Sequence, residues 1–160
     1  MNRSLRSFAV LLVVAAPAAF AADVKETVHV VITGGAHAGT YDGSTDRGGC
    51  SAGLTGKGSF GNQYSLLREN DPKVLNSIQI IVPDAKAAAS GTHDFSLKVA
   101  FGRITKRVAE YKVDTEKKSG TGTVTVHDKG STAVISFDAK TADGVRLVGT
   151  VDCKSVTRAQ

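Results

Sequence analysis

The chain has 160 residues, 41% hydrophobic and 22% charged, with 20 Lys and Arg against 15 Asp and Glu, no Trp and two Cys. That length fits one domain, and the small basic excess falls short of a nucleic-acid-binding surface. Two cysteines are too few for a disulfide-dense scaffold, so the fold must rest on an apolar core.

Met1 to Ser7 carry Arg3 and Arg6 and no acid, and the apolar run "FAVLLVVAAPAAF" follows from Phe8 to Phe20. The run is broken by Pro17 and is shorter than the roughly 20 residues of a spanning helix. In "AFA", Ala19 and Ala21 stand at the two positions that a signal peptidase reads. The expectation is a cleaved signal peptide over 1–21, a mature single domain over 22–160 beginning at Ala22, and release to the periplasm or the extracellular space. The mature part keeps 18 basic and 15 acidic residues, a formal +3, and no apolar run of membrane-spanning length.

Strand periodicity begins at once. Val28, Val30 and Ile32 share one parity, with Thr27, His29 and Thr33 on the other, the pattern of a half-buried strand. The next segment, Gly34 to Gly61, is rich in glycine and lacks a period, which reads as long loops around one short strand. Within it "YDGSTDRGG" offers Asp42 and Asp46, but calcium takes six or more oxygens and ordinary turn chemistry accounts for these residues. Gly49-Cys50-Ser51-Ala52-Gly53 matches G-x-S-x-G in letters only, since that motif works at a strand-to-helix turn of a parallel sheet and no helix pattern follows. "GLTGKGS", Gly53 to Ser59, lacks the spacing of a phosphate loop.

Alternation resumes with Phe60, Tyr64 and Leu66, then Ile78, Ile80 and Val82. "PDAKAAASG", Pro83 to Gly91, is the one helical stretch, two turns at most and placed as a crossover between sheets. Phe95, Leu97, Val99 and Phe101 alternate with Ser96 and Lys98; Ala109, Tyr111 and Val113 follow, then Val124 and Val126, Ala133, Ile135 and Phe137, and lastly Val145, Leu147 and Val151. Separators such as "KKSGTG", "DKG" and "ADG" supply residues that tolerate hairpin turns. The pattern predicts an all-β fold, an antiparallel sandwich or squat barrel of about eight or nine short strands.

Cys153 shares the inward parity of Leu147 and Val151, while Cys50 lies in the glycine-rich part. In an exported chain the two most simply pair, closing a loop of about 100 residues for a chain-entropy stabilisation of roughly 4 to 5 kcal/mol. The pairing is read as structural, because no CxxC spacing is present. It also removes the free thiol that a blue-copper site needs. His29 and His127 sit on polar parity and read as solvated, a site shared by His29 and His37 is short of ligands, and no metal or cofactor is expected. Of the tyrosines, only Tyr41 stands off the core parity.

One segment concentrates charge. "RITKRVAEYKVDTEKK", Arg103 to Lys118, has six basic residues and three acids, and its Arg103, Lys106, Arg107 and Lys112 form a candidate patch for an anionic envelope component or another protein. Lys106, Glu110 and Lys112 share the parity opposite Tyr111 and should face water, with Arg107 nearer a strand end. The same composition would also keep an edge strand soluble. No acid–base or nucleophile constellation is legible. The expected function is thus a non-catalytic binding module, the alternatives being a carrier of a small apolar ligand between the sheets and, last, a hydrolytic enzyme.

Overall fold

The computed structural model describes residues 23–66, 71–103 and 105–159, so the segment read as a signal peptide, with its cleavage point before Ala22, lies outside the described residues. Among these, eleven strands and one helical turn follow in order: β1 (Glu26–Thr33), β2 (Gly39–Thr45), β3 (Gly48–Ala52), β4 (Phe60–Ser65), β5 (Leu75–Val82), α1 (Ala85–Ala88), β6 (Ser96–Arg103), β7 (Lys106–Asp114), β8 (Gly120–Asp128), β9 (Ala133–Thr141), β10 (Arg146–Cys153) and β11 (Val156–Arg158). They form two packed sheets, one of five strands in the order β2-β1-β10-β9-β8 and one of six in the order β11-β3-β4-β5-β6-β7. Neighbours run antiparallel except β11, which lies parallel to β3.

The alternation legible in the sequence is the alternation of burial, because successive side chains on a strand leave opposite faces. Val28, Val30 and Ile32 of β1, Leu97, Val99 and Phe101 of β6, and Leu147, Val151 and Cys153 of β10 all point inward and are buried. Tyr64, Phe60 and Phe101 are the largest fully buried side chains; burying an aliphatic or aromatic side chain of this size contributes about 1.5–3 kcal/mol. Gly149 interrupts the inward row of β10 for a steric reason. It pairs with Phe137, whose ring would lie 2.8 Å from a Cβ at position 149.

Two expectations are corrected. The glycine-rich segment holds two strands, β2 and β3, and with the short β11 this raises the count above eight or nine. Neither β2 nor β3 alternates in hydropathy. β2 instead takes its backbone partners from β1 through seven register pairs, Glu26↔Thr45 to Ile32↔Gly39, and as an edge strand it needs no apolar outer face. The helix is a single turn capped by Asp84, whose side chain accepts from the backbone N–H of Lys86 and Ala87. It joins β5 to β6, neighbours within one sheet, so it is not a crossover; the chain after it does lean over to the other sheet, where Thr92 pairs with Val124 of β8.

The chain passes between sheets from β2 to β3, from β7 to β8 and from β10 to β11. Two of these passages meet at one corner. Gly48 turns the chain there at φ +91°, where a Cβ would collide with the Gln63 carbonyl. Cys153 ends β10, and Val156 of β11 pairs beside Cys50. The Cys50–Cys153 disulfide, its Cα atoms 5.9 Å apart, fastens the two sheets at that corner, as the parity of Cys153 anticipates.

Candidate functional site

The outer face of β6 and β7 is built by default from what the core leaves outside. With Leu97, Val99 and Phe101 inward, Ser96 and Lys98 project outward from β6, Ala100 sharing their parity but buried; with Tyr111 and Val113 inward, Glu110, Lys112 and Asp114 project from β7. The hairpin register then sets Lys98 directly opposite Lys112, and on its other side Lys98 faces Gln79 of β5. Like charges directly opposite across a strand pair destabilise it.

A bulge adds a third cation. The register steps from Phe101↔Ala109 to Gly102↔Arg107, leaving Val108 unpaired and exposed. One extra residue reverses the facing of what precedes it, so Arg107 joins Glu110 and Lys112 on the outer face and forms an ion pair with Glu110. Gly102 permits this at φ +78°, where a Cβ would lie 2.8 Å from the Lys106 carbonyl and 3.0 Å from the Val108 nitrogen.

Glu110 also pairs with Lys112, so a single carboxylate serves two cations while Lys98 stands beside them without a carboxylate of its own among the described residues. Burial, and after it the charges of Arg107 and Lys112, hold the Lys98 ammonium below the usual lysine range. Next to it Gln79, Ser96, Lys98, Lys112, Asp114 and Lys117 border a depression of about 380 Å³. Asp114 is engaged by Lys117 at 2.8 Å, and that hydrogen bond holds its carboxyl below the usual range.

Of the four residues singled out in the sequence, Arg107 and Lys112 meet on this face, while Arg103 and Lys106 pair with each other at the turn end of the hairpin, both exposed. Three details differ from expectation. Past the bulge Lys106 pairs with Arg103 and leaves the face of Glu110 and Lys112, though it stays exposed. Glu110 is largely covered, its side chain 17% exposed, because two cations close over it, and Arg107 shares its face through the bulge. Lys98 and Gln79 were not singled out. A signal for Lys98 existed, since pairing the strands on either side of the Arg103 turn brings it opposite Lys112.

Other candidates disperse. His29 bonds Asp42 at 2.7 Å on the outer side of the five-stranded sheet, whereas His37 stacks on Phe101 with ring centroids 4.2 Å apart, so the two histidines make no common site. Asp42 is thus taken by His29, and Asp46 lies by Arg47. Tyr41 is not free: it meets Phe101 edge-on and its hydroxyl donates to the His37 carbonyl. Ser51 sits in the extended β3, paired with Gly61 and Thr157, without the turn a nucleophile elbow requires. Among the described residues, Glu26, Cys50 and Cys153 are the one close group of three metal-type side chains, and its two sulfurs are bonded to each other. The inward side chains of the two sheets form one contiguous cluster, which lends no support to an apolar-ligand carrier.

No protein-family model matches this chain, and neither does any curated protein or solved structure.

Proposed function

We propose that this chain is an exported, non-catalytic binding module that engages phosphate or carboxylate groups of an anionic envelope component through the outer face of β6 and β7. The observation that carries this reading is the direct pairing of Lys98 with Lys112, joined by Arg107, with Glu110 the one carboxylate paired to this group among the described residues. Charges on the edge strand β7 also guard it against pairing, but like charges directly opposite cost the sheet stability, and an anion seated beside Lys98 relieves that cost. The disulfide supports an oxidising compartment, in keeping with the amino-terminal signal pattern. Arg103 and Lys106 extend the same field to the hairpin end.

The test is cosedimentation of the mature protein with vesicles rich in anionic phospholipid and, in a second arm, with an acidic polysaccharide. Binding should weaken as salt rises, because the Debye length falls from roughly 10 Å at 0.1 M toward 3 Å at 1 M. The double variant Lys98→Gln, Lys112→Gln should lose most of it and remain folded. Equal binding by variant and wild type at low salt overturns the proposal; the arm that binds identifies the source of the anionic group.

A further inference from the structure

The corner where the sheets are fastened contains an acid with no cation beside it among the described residues. Glu26 opens β1, opposite Cys153 on β10 and Thr45 on β2, and it is 0% exposed. Its Oε1 lies 3.2 Å from Cys50 Sγ, a sulfur that in the disulfide has no proton to donate. Its Oε2 has no hydrogen-bond partner. From β4, the Asn62 side chain offers one hydrogen bond, and the Tyr64 phenol is pushed up to about 12, by burial and then by Glu26 itself. From β3 come Gly48, whose Cβ position lies 3.5 Å from Oε2, and Cys50. Among the described residues, no group in this shell is cationic. Lys25, its chain neighbour, is exposed, and Lys154 beyond the corner is occupied by Asp152.

An ionised carboxylate here has surrendered its hydration for one amide bond, a strongly unfavourable exchange. A protonated carboxyl fits better, since its hydroxyl can donate to the adjacent disulfide sulfur. We propose that Glu26 is a proton-operated latch on the inter-sheet corner: protonated, it lets β1, β3 and β10 close around the disulfide, and its ionisation loosens them. The disulfide sits in the same place and keeps the sheets joined when the latch opens, so the loosening is local.

Burial pushes the Glu26 carboxyl up from 4.5 to about 7. The folded state therefore holds a proton that the unfolded chain releases, so the stabilisation is full below about 4.5 and is lost as pH rises through about 7. Urea unfolding of the disulfide-bonded mature protein should show the folding equilibrium constant falling on the order of a hundred-fold from pH 5 to pH 8 relative to Glu26→Gln. The variant, neutral throughout, should match or exceed wild type at pH 8. Superimposable pH profiles for the two proteins overturn the proposal. Should Glu26→Gln fail to fold, carbon-13 NMR of the wild-type carboxyls decides: one carboxyl titrating near pH 7, with amide exchange rising in β1 and β3 over the same range, supports the latch. Titration of every carboxyl below about pH 5.5 overturns it.

Discussion

The corner around Glu26 and the outer face of β6 and β7 both carry charge without a matching partner, and they resolve it in opposite ways. Glu26 is sealed between sheets, where an uncompensated charge costs several kcal/mol, so the group holds its proton instead. Lys98, Arg107 and Lys112 stand on the outer face around the Glu110 carboxylate, where like charges across a strand pair cost only about 0.2–1 kcal/mol, and the proposed counter-charge is an anionic partner. The same imbalance underlies the proposed stability switch where it is buried and the proposed binding face where it is exposed.

That comparison can be pressed hardest at the corner. Replacing both Cys50 and Cys153 with Ala removes a link spanning 103 residues and should lower unfolding stability by about 4 kcal/mol, measured by urea denaturation. A change below about 1 kcal/mol would mean that the corner is held by packing alone. Gly48→Ala forces a side chain into φ +91° against the Gln63 carbonyl and should cost about 2–3 kcal/mol, seen as a lower melting temperature without loss of anion binding. On the other face, Gly102→Ala meets the Lys106 carbonyl and the Val108 nitrogen and should cost about 1–2 kcal/mol. Because Gly102 supports the bulge that turns Arg107 outward, this variant should also weaken vesicle binding. The smallest effect is the most telling: Lys98→Gln removes a like-charge pair and should leave stability unchanged or raised by up to about 1 kcal/mol while reducing anion binding. A clear destabilisation by Lys98→Gln would show that the lysine serves the sheet rather than a partner.

Much of the fold was legible before any coordinates. The period-two rows from Val28 to Val151 lie inward because alternation is a local property of an extended chain, and Cys153 declared its direction through the parity it shares with Leu147. The glycine-rich segment reads as one short strand where β2 and β3 stand, since their pairing is written in the neighbouring strands, not in their own composition. Half of the candidate face was legible as well. Arg107 and Lys112 stand out within one charged segment, whereas Lys98 joins them only through the hairpin register, and the facing of Arg107 depends on a bulge with no compositional mark beyond Gly102.

Glu26 shows where sequence stops. It shares the parity of Val28, Val30 and Ile32, which is a hint, yet an acid at the first position of a strand ordinarily reaches water. Its burial depends on Cys50, Asn62 and Tyr64 arriving from β3 and β4 and Cys153 from β10, residues distant along the chain. By itself, the sequence determined the alternating strands, their inward rows and the identity of the disulfide partners, since each follows from side-chain alternation and from there being two cysteines. Tertiary structure alone decided the strand order, the confrontation of Lys98 with Lys112 and the isolation of Glu26, because register and dielectric are properties of neighbours that the chain brings together only when it folds.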